Sequence, residues 1–239
     1  MGMTEVYFLA MESDLPYVWE QATPEAKGII IILAIFSIFA WTIMASKAMQ
    51  MRRAKKLNQL FNLEFRAQKS VLEIFERRVQ VEGCPLFAVY QEGCAELVGR
   101  KKGATVDGQA KPVTLKSMEH VKRALERAVA QESLKLESGL IMLAIAVSGA
   151  PFLGLLGTVW GVMSAFSRVG SQHNASLEAM APGVAGALIT TVAGLLVAIP
   201  SMFGYNWLVH NLRVFTVELD NFAQDLVSKM EIEYLKDDE

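Results

Sequence analysis

Three stretches of the chain interrupt an otherwise charged pattern. Residues 28–46 ("GIIIILAIFSIFAWTIMAS"), 138–167 and 179–209 run for 19, 30 and 31 positions without Asp, Glu, Lys, Arg or His. A bilayer core about 30 Å thick is crossed by about 20 helical residues, so each stretch predicts a spanning helix, the second and third with length to spare. Elsewhere apolar residues return at helical spacing. "LNQLFNLEFRAQKSVLEIFERRV" places Leu57, Leu60, Phe61, Val71, Ile74 and Phe75 on a rough stripe. "CPLFAVYQEGCAELV" reads as another helix, and "GRKKGATVDGQAKP" as a turn or linker. The stretch "TLKSMEHVKRALERAVAQESLKLESG" aligns Met118, Val121, Leu125, Ala128 and Val129, and it predicts a helix running unbroken into the second span. "VFTVELDNFAQDLVSKMEIEYL" predicts a further amphipathic helix. No strand pattern or internal repeat is visible. The expected fold is an all-α membrane protein, with three transmembrane helices and long cytoplasmic helical extensions.

Charge placement orients these helices. Lys47, Arg52, Arg53, Lys55 and Lys56 follow the first span, whereas Lys27 is the one cation before it, among Glu5, Glu12, Asp14, Glu20 and Glu25. The positive-inside rule then puts the N-terminus outside and the C-terminus in the cytoplasm. The expected organisation is a periplasmic segment 1–27, a first span 28–46 and a cytoplasmic helical domain 47–137. A second span 138–167, a short periplasmic loop 168–178, a third span 179–209 and a cytoplasmic C-terminal helix 210–239 follow. The first span is expected to remain as an anchor, because no basic leader precedes it and no cleavage site follows. "VYFLAM" and "YVW" in the N-terminal segment suit a membrane surface.

Composition adds mostly exclusions. With 52% hydrophobic residues and a mean hydropathy of +0.30, the chain is more apolar than a soluble domain of 239 residues. A net charge of −2 gives no support for nucleic-acid binding. Cys84 and Cys94 lack metal-motif spacing and read as buried or semi-buried thiols. His120, His173 and His210 are scattered, and no nucleophile elbow, phosphate loop or ligand cluster points to an enzyme, a metal or a cofactor.

The second and third spans are unusual. Ala150, Gly154, Thr158, Gly161 and Ala165 recur at steps of four, four, three and four, as one face of small residues. Gly183, Ala187, Thr191, Gly194 and Ala198 repeat the arrangement, with Thr190 alongside. Phe152, Leu156, Val159 and Met163 supply bulk elsewhere on one helix, and Leu188, Val192, Leu195 and Ile199 on the other. Small faces let helices approach closely in lipid, where no hydrophobic drive brings them together. A threonine there can also return its hydroxyl to its own helix. The pairing of Thr158 with Thr191, each centred in a small face, points further, to hydroxyls facing water, a buried polar group or a partner helix. No span contains an ionisable group of the kind that ion carriers place in the membrane, so either the chain does not conduct or something else supplies the carboxylate.

"PFLGLLGTVWGVMSAF" and "APGVAGALITTVAGLLVAIPSMFGYNWL" resemble the core of the MotA/TolQ/ExbB proton-channel family, on its TolQ/ExbB side. The likeness covers roughly residues 138–212, and more loosely the first span and "ELDNFAQDLV". It implies a homopentamer around an ExbD- or TolR-like single-span subunit that supplies a membrane Asp. It also implies an inner-membrane motor passing proton motive force to a TonB- or TolA-like protein. By motif position, Thr158, Thr191 and Thr190 would line the channel together with Gly186, while Gly154, Gly161, Gly183 and Gly194 would pack helices. One departure stands out: "PGVAGAL" carries Gly186 where family members commonly have a glutamate. The rival readings are a non-conducting scaffold for a partner subunit and a small transporter, which would normally show repeats and more spans. A flagellar stator, a near relative, usually has a fourth span.

Overall fold

The computed structural model describes residues 23–103, 113–172 and 177–235. The "VYFLAM" and "YVW" segments and His173 lie outside the described residues, as does most of the predicted linker. Among the described residues six helices follow one another: α1 (Pro24–Ala67), α2 (Glu73–Glu76), α3 (Pro85–Gly103), α4 (Leu115–Glu137), α5 (Leu140–Gln172) and α6 (Leu177–Tyr234). No strand occurs among the described residues. The all-α reading therefore holds. α1, α5 and α6 are each long and apolar enough to cross a membrane.

The start of α1 follows from its sequence. Thr23 Oγ1 accepts the Ala26 amide at 3.3 Å, Pro24 occupies the first turn where no amide is needed, and Glu25 meets the positive helix end. α1 then runs unbroken through the first apolar stretch and on to Ala67, and α6 is equally continuous from Leu177 to Tyr234. The expected separate C-terminal helix is thus a continuation of the third spanning helix.

The expected continuity of α4 into α5 is corrected. α4 closes at Ser138 and Gly139 adopts φ +85°, a left-handed conformation that glycine takes without steric penalty. Ser138 N–H donates to the Leu134 carbonyl at 3.0 Å. Lys47 Nζ reaches the freed Leu136 carbonyl and Ser138 Oγ, each at 3.3 Å, placing a cation at the negative end of α4. Desolvation in this position lowers the Lys47 pKa.

The chain divides into two compact units. One contains the described residues up to 45 and 139–206, and its apolar surface is extensive: Ile38 is 68% and Phe152 71% exposed. Its interior is thin, with Leu33 of α1 packed against Ala150 of α5 and against Val197 and Ala198 of α6.

The other unit contains the described residues of 46–138 and those from 207 onward, and has a conventional core. Phe61 and Phe65 of α1 meet Phe87 and Tyr90 of α3 and Phe222 of α6, with Val121 and Leu125 of α4 and Leu219, Leu226 and Met230 of α6 in the same cluster. Phe61 lies with ring centroids 5.6 Å from Phe87, 5.5 Å from Tyr90 and 5.9 Å from Phe222. All five residues of the predicted α4 stripe are buried. On α1 the stripe is corrected: Leu60 is exposed, and Phe65, four residues beyond Phe61, takes the core position. Residues at steps of four share a face, whereas Leu60 is turned about 100° from Phe61.

Cys84 and Cys94 are buried free thiols, as expected. Burial pushes both upward in pKa, Cys94 to about 12, so neither is a thiolate at neutral pH. Tyr90 Oη donates to the Val71 carbonyl at 2.6 Å and accepts the Phe75 amide at 3.0 Å, tying the α1–α2 connection to α3.

That connection is also held by the last turn of α6. Glu233 accepts Ser70 Oγ at 2.6 Å and the Val71 amide at 2.8 Å. Burial alone would raise the Glu233 pKa, but these hydrogen bonds, with Tyr234 and the nearby Lys101 charge, lower it on balance. A depressed carboxyl stabilises the fold above its unfolded value, and that contribution disappears as pH falls through its folded value. Acid titration of unfolding should show stability falling from about pH 4.3, the ordinary glutamate range, downward. Glu233→Gln should remove this part of the slope, and an unchanged slope would exclude the carboxyl as its source.

Candidate functional site: a threonine cluster between two small-residue helices

Removing side chains lets two helices touch by their backbones. An added Cβ at Gly154 of α5 would stand 2.8 Å from the Thr190 carbonyl oxygen and 3.0 Å from Thr191 Cα. One at Gly194 of α6 would stand 2.6 Å from the Ala150 carbonyl oxygen and 3.1 Å from Gly154 Cα. An added Cβ at Gly161 would stand 2.6 Å from Ala187 Cβ, and one at Gly183 2.9 Å from Ala165 Cβ. The two small faces thus meet one another within one chain. The bulky residues Leu156, Val159, Met163, Leu188, Val192 and Ile199 stay exposed.

Close approach brings three hydroxyls to one backbone carbonyl. Thr190 Oγ1 donates toward the Gly154 oxygen at 3.0 Å and toward its own-helix Ala187 oxygen at 2.7 Å. Thr191 Oγ1 lies 3.2 Å from the same Gly154 oxygen and 3.1 Å from Thr158 Oγ1. Thr158 Oγ1 lies 2.7 Å from the Leu155 oxygen and 3.4 Å from that of Gly154. Thr158 and Thr191 are half-buried, so their hydroxyls reach the edge of the contact. Thr190 is 0% exposed and closed off from any surface of the chain. In this geometry its hydroxyl fastens α6 to α5.

Gly186 is buried one turn before Thr190, on the same helix. Gly157 was missed in the sequence. An added Cβ there would stand 2.6 Å from Thr190 Cβ, so Gly157 is the seat of that threonine. The signal was present in "GLLGTVWG", where Gly157 lies three residues after Gly154 and four before Gly161, both positions of a shared helix face.

Residues 91–221, which contain this whole cluster, match the model of the MotA/TolQ/ExbB proton channel family. The chain belongs to that family. Among its relatives, the biopolymer transport protein ExbB of Neisseria meningitidis is 30% identical over 214 residues, covering 89% of this chain and 95% of the relative. The Tol-Pal system protein TolQ of Haemophilus influenzae is 32% identical over 206 residues, covering 84% and 86%. An ExbB of Xanthomonas campestris reaches 45% identity over 113 residues, covering 47% of this chain and 45% of its own length. Likeness to both ExbB and TolQ proteins puts the chain on the TolQ/ExbB side of the MotA/TolQ/ExbB family. Among the described residues no group of three or more His, Cys, Asp or Glu could hold a metal ion.

Proposed function

We propose that this chain is the proton-channel subunit of an inner-membrane, proton-motive-force-driven motor. Its role in TonB- or Tol-type energy transduction follows its ExbB and TolQ relatives. Its proposed partner is an ExbD- or TolR-like single-span subunit whose membrane Asp supplies the carboxyl that the spans lack. A homopentamer of the chain would surround that helix, and a TonB- or TolA-like protein would receive the work. The N-terminus would be periplasmic, with 47–137 and 210–239 in the cytoplasm, as the basic run after the first span favours.

The observation carrying this reading is the Thr158–Thr191 pair. Two half-buried hydroxyls 3.1 Å apart sit within the charge-free stretches of α5 and α6, able to meet a polar group that comes from outside the chain. They would line the path, while Thr190 and Gly154, Gly157, Gly161, Gly183 and Gly194 would hold the helices close enough to form it. Gly186, with no side chain, leaves the partner as the source of the titrating group.

Proton uptake into liposomes tests this, with the chain reconstituted beside an ExbD- or TolR-like single-span subunit. Removing the partner's Asp should abolish uptake. Thr158→Val or Thr191→Val should reduce it about tenfold, the scale of one hydrogen bond to the moving group. The missing carboxylate at Gly186 favours a second reading, a non-conducting scaffold. Assembled complexes that take up no protons under a driving potential, and whose partner is unaffected by both valine variants, would select that reading.

A further inference from the structure

Immediately beyond the first span, the polar unit contains an open cavity of about 710 Å³. Met49, Gln50 and Arg53 of α1 line one side and Glu132 and Lys135 of α4 another, with residues 80–84 and the first turn of α3 between them. Its depth follows from α1. The charge-free stretch 28–46 holds 19 residues. At about 1.5 Å per residue they measure about 28 Å, close to the thickness of a hydrocarbon core. Met49 and Arg53 then lie about 4 and 10 Å past its edge, level with the lipid headgroups and just beneath them. Lys47 Nζ donates to the Leu136 carbonyl at 3.3 Å, which brings the end of α4 to the same level. Leu86 N–H donates to Asn58 Oδ1 at 3.2 Å, so the start of α3 forms the floor, farther along α1.

The cavity carries charges of both signs, kept apart. Lys135 and Glu132 answer each other at 2.6 Å. Arg53 and Glu82 are exposed, and among the described residues neither is ion-paired, to the other or to any third group. Side chains on a helix lean toward its N-terminus, so Arg53 leans back toward the bilayer. α3 adds the positive end of its dipole at Cys84 and Pro85, which line the cavity. Gln50, Gln80 and Gln91 add amide oxygens. A simple anion would leave Glu82 unanswered, and a simple cation would leave Arg53. A molecule bearing both charges satisfies the two together.

From these observations we infer that the cavity binds the headgroup of a zwitterionic phospholipid of the phosphatidylethanolamine type. Its phosphate lies toward Arg53 and the start of α3, and its ammonium toward Glu82. A primary ammonium brings three N–H donors for the Glu82 carboxylate and the glutamine oxygens, which a trimethylated one lacks. Met49, 65% exposed beside the bilayer, meets the glycerol and the acyl chains as they leave. The lipid thereby joins α1, the 80–84 segment and α4 at the membrane surface. This goes beyond the proton-channel reading and needs only that α1 crosses a bilayer.

The test is the thermal unfolding midpoint of the whole chain in detergent, titrated with dioctanoyl phospholipids. Phosphatidylethanolamine should raise the midpoint saturably, because a ligand that binds the folded state stabilises it. Phosphatidylglycerol has the phosphate without the ammonium, and phosphatidylcholine has an ammonium without N–H. Both should bind about three- to tenfold more weakly, the scale of an exposed ion pair or one hydrogen bond to a charged group. Arg53→Gln should weaken phosphatidylethanolamine by a similar factor, with Arg53→Lys recovering part of it. Glu82→Gln should erase the preference over phosphatidylglycerol. Arg52→Gln, at an exposed neighbour outside the cavity, should change nothing. Phosphatidylglycerol binding as tightly as phosphatidylethanolamine would overturn the zwitterion assignment. A response that survives both Arg53→Gln and Glu82→Gln, or no response to any lipid, would overturn the site itself. Phosphoethanolamine without acyl chains, if it bound as tightly as the lipid, would overturn the lipid assignment in favour of a soluble ligand.

Discussion

Gly154→Ala is expected to loosen the α5–α6 contact and destabilise the membrane hairpin by about 1–3 kcal/mol, the range for forcing extra volume into a packed site. The reason is which atoms the new methyl meets. They are the Thr190 carbonyl, Thr191 Cα and Gly194 Cα, all backbone, so no side chain can rotate out of the way. Gly194→Ala should act alike, through the Ala150 carbonyl and Gly154 Cα. Both changes act on one contact, so the double variant should fall short of the sum of the two. Alanine has a better helix propensity than glycine by up to about 1 kcal/mol, so a loss would have to exceed that gain. Gly149→Ala isolates the gain, because its added Cβ would meet nothing within 4 Å. Reversible unfolding in detergent measures all four variants against the parent chain, and proton uptake should fall with the hairpin variants because the threonine pair is carried by the same contact. Equal stability of Gly154→Ala and Gly149→Ala would refute the backbone contact.

The second large effect is expected in the polar unit. Phe61→Ala should destabilise it by about 3–5 kcal/mol, the usual range for a buried phenylalanine. The ring is buried and contacts Phe65, Phe87, Tyr90 and Phe222, which come from three helices, so a single truncation leaves a cavity that no one element can close by itself. Amide hydrogen exchange should show lost protection concentrated in α3 and in the α6 segment around Phe222, with α5 little changed. Undiminished protection in α3 would mean that the aromatic cluster does not hold the unit together.

Much of this was legible before any coordinates. Three uninterrupted apolar runs specify spanning helices because a bilayer offers no other partner for that much apolar surface, and an α-helix satisfies its own backbone there. The α4 stripe was equally readable, since Met118, Val121, Leu125, Ala128 and Val129 obey one period. The repeated small faces of α5 and α6, and the pairing of Thr158 with Thr191, were visible as spacing alone.

Other features needed the third dimension. The break at Gly139 was hidden because one glycine between two helical patterns looks tolerable, and only its positive φ and the Lys47 cap reveal the stop. Leu60 and Phe65 exchanged places because a stripe drawn loosely across adjacent residues cannot say which neighbour the core reaches. Thr190 and Thr191 are adjacent in sequence and chemically identical, yet about 100° of helical rotation separates a closed interhelical bond from a half-exposed hydroxyl. The sequence by itself determined that the helices lie in a membrane, that they carry small faces, and that their hydroxyls lack a titrating companion. Tertiary structure alone decided that those faces close on each other, and that the Gly154 carbonyl gathers the threonines. The reason is that periodicity records which residues share a side of a helix, whereas hydrogen-bond direction depends on what stands opposite.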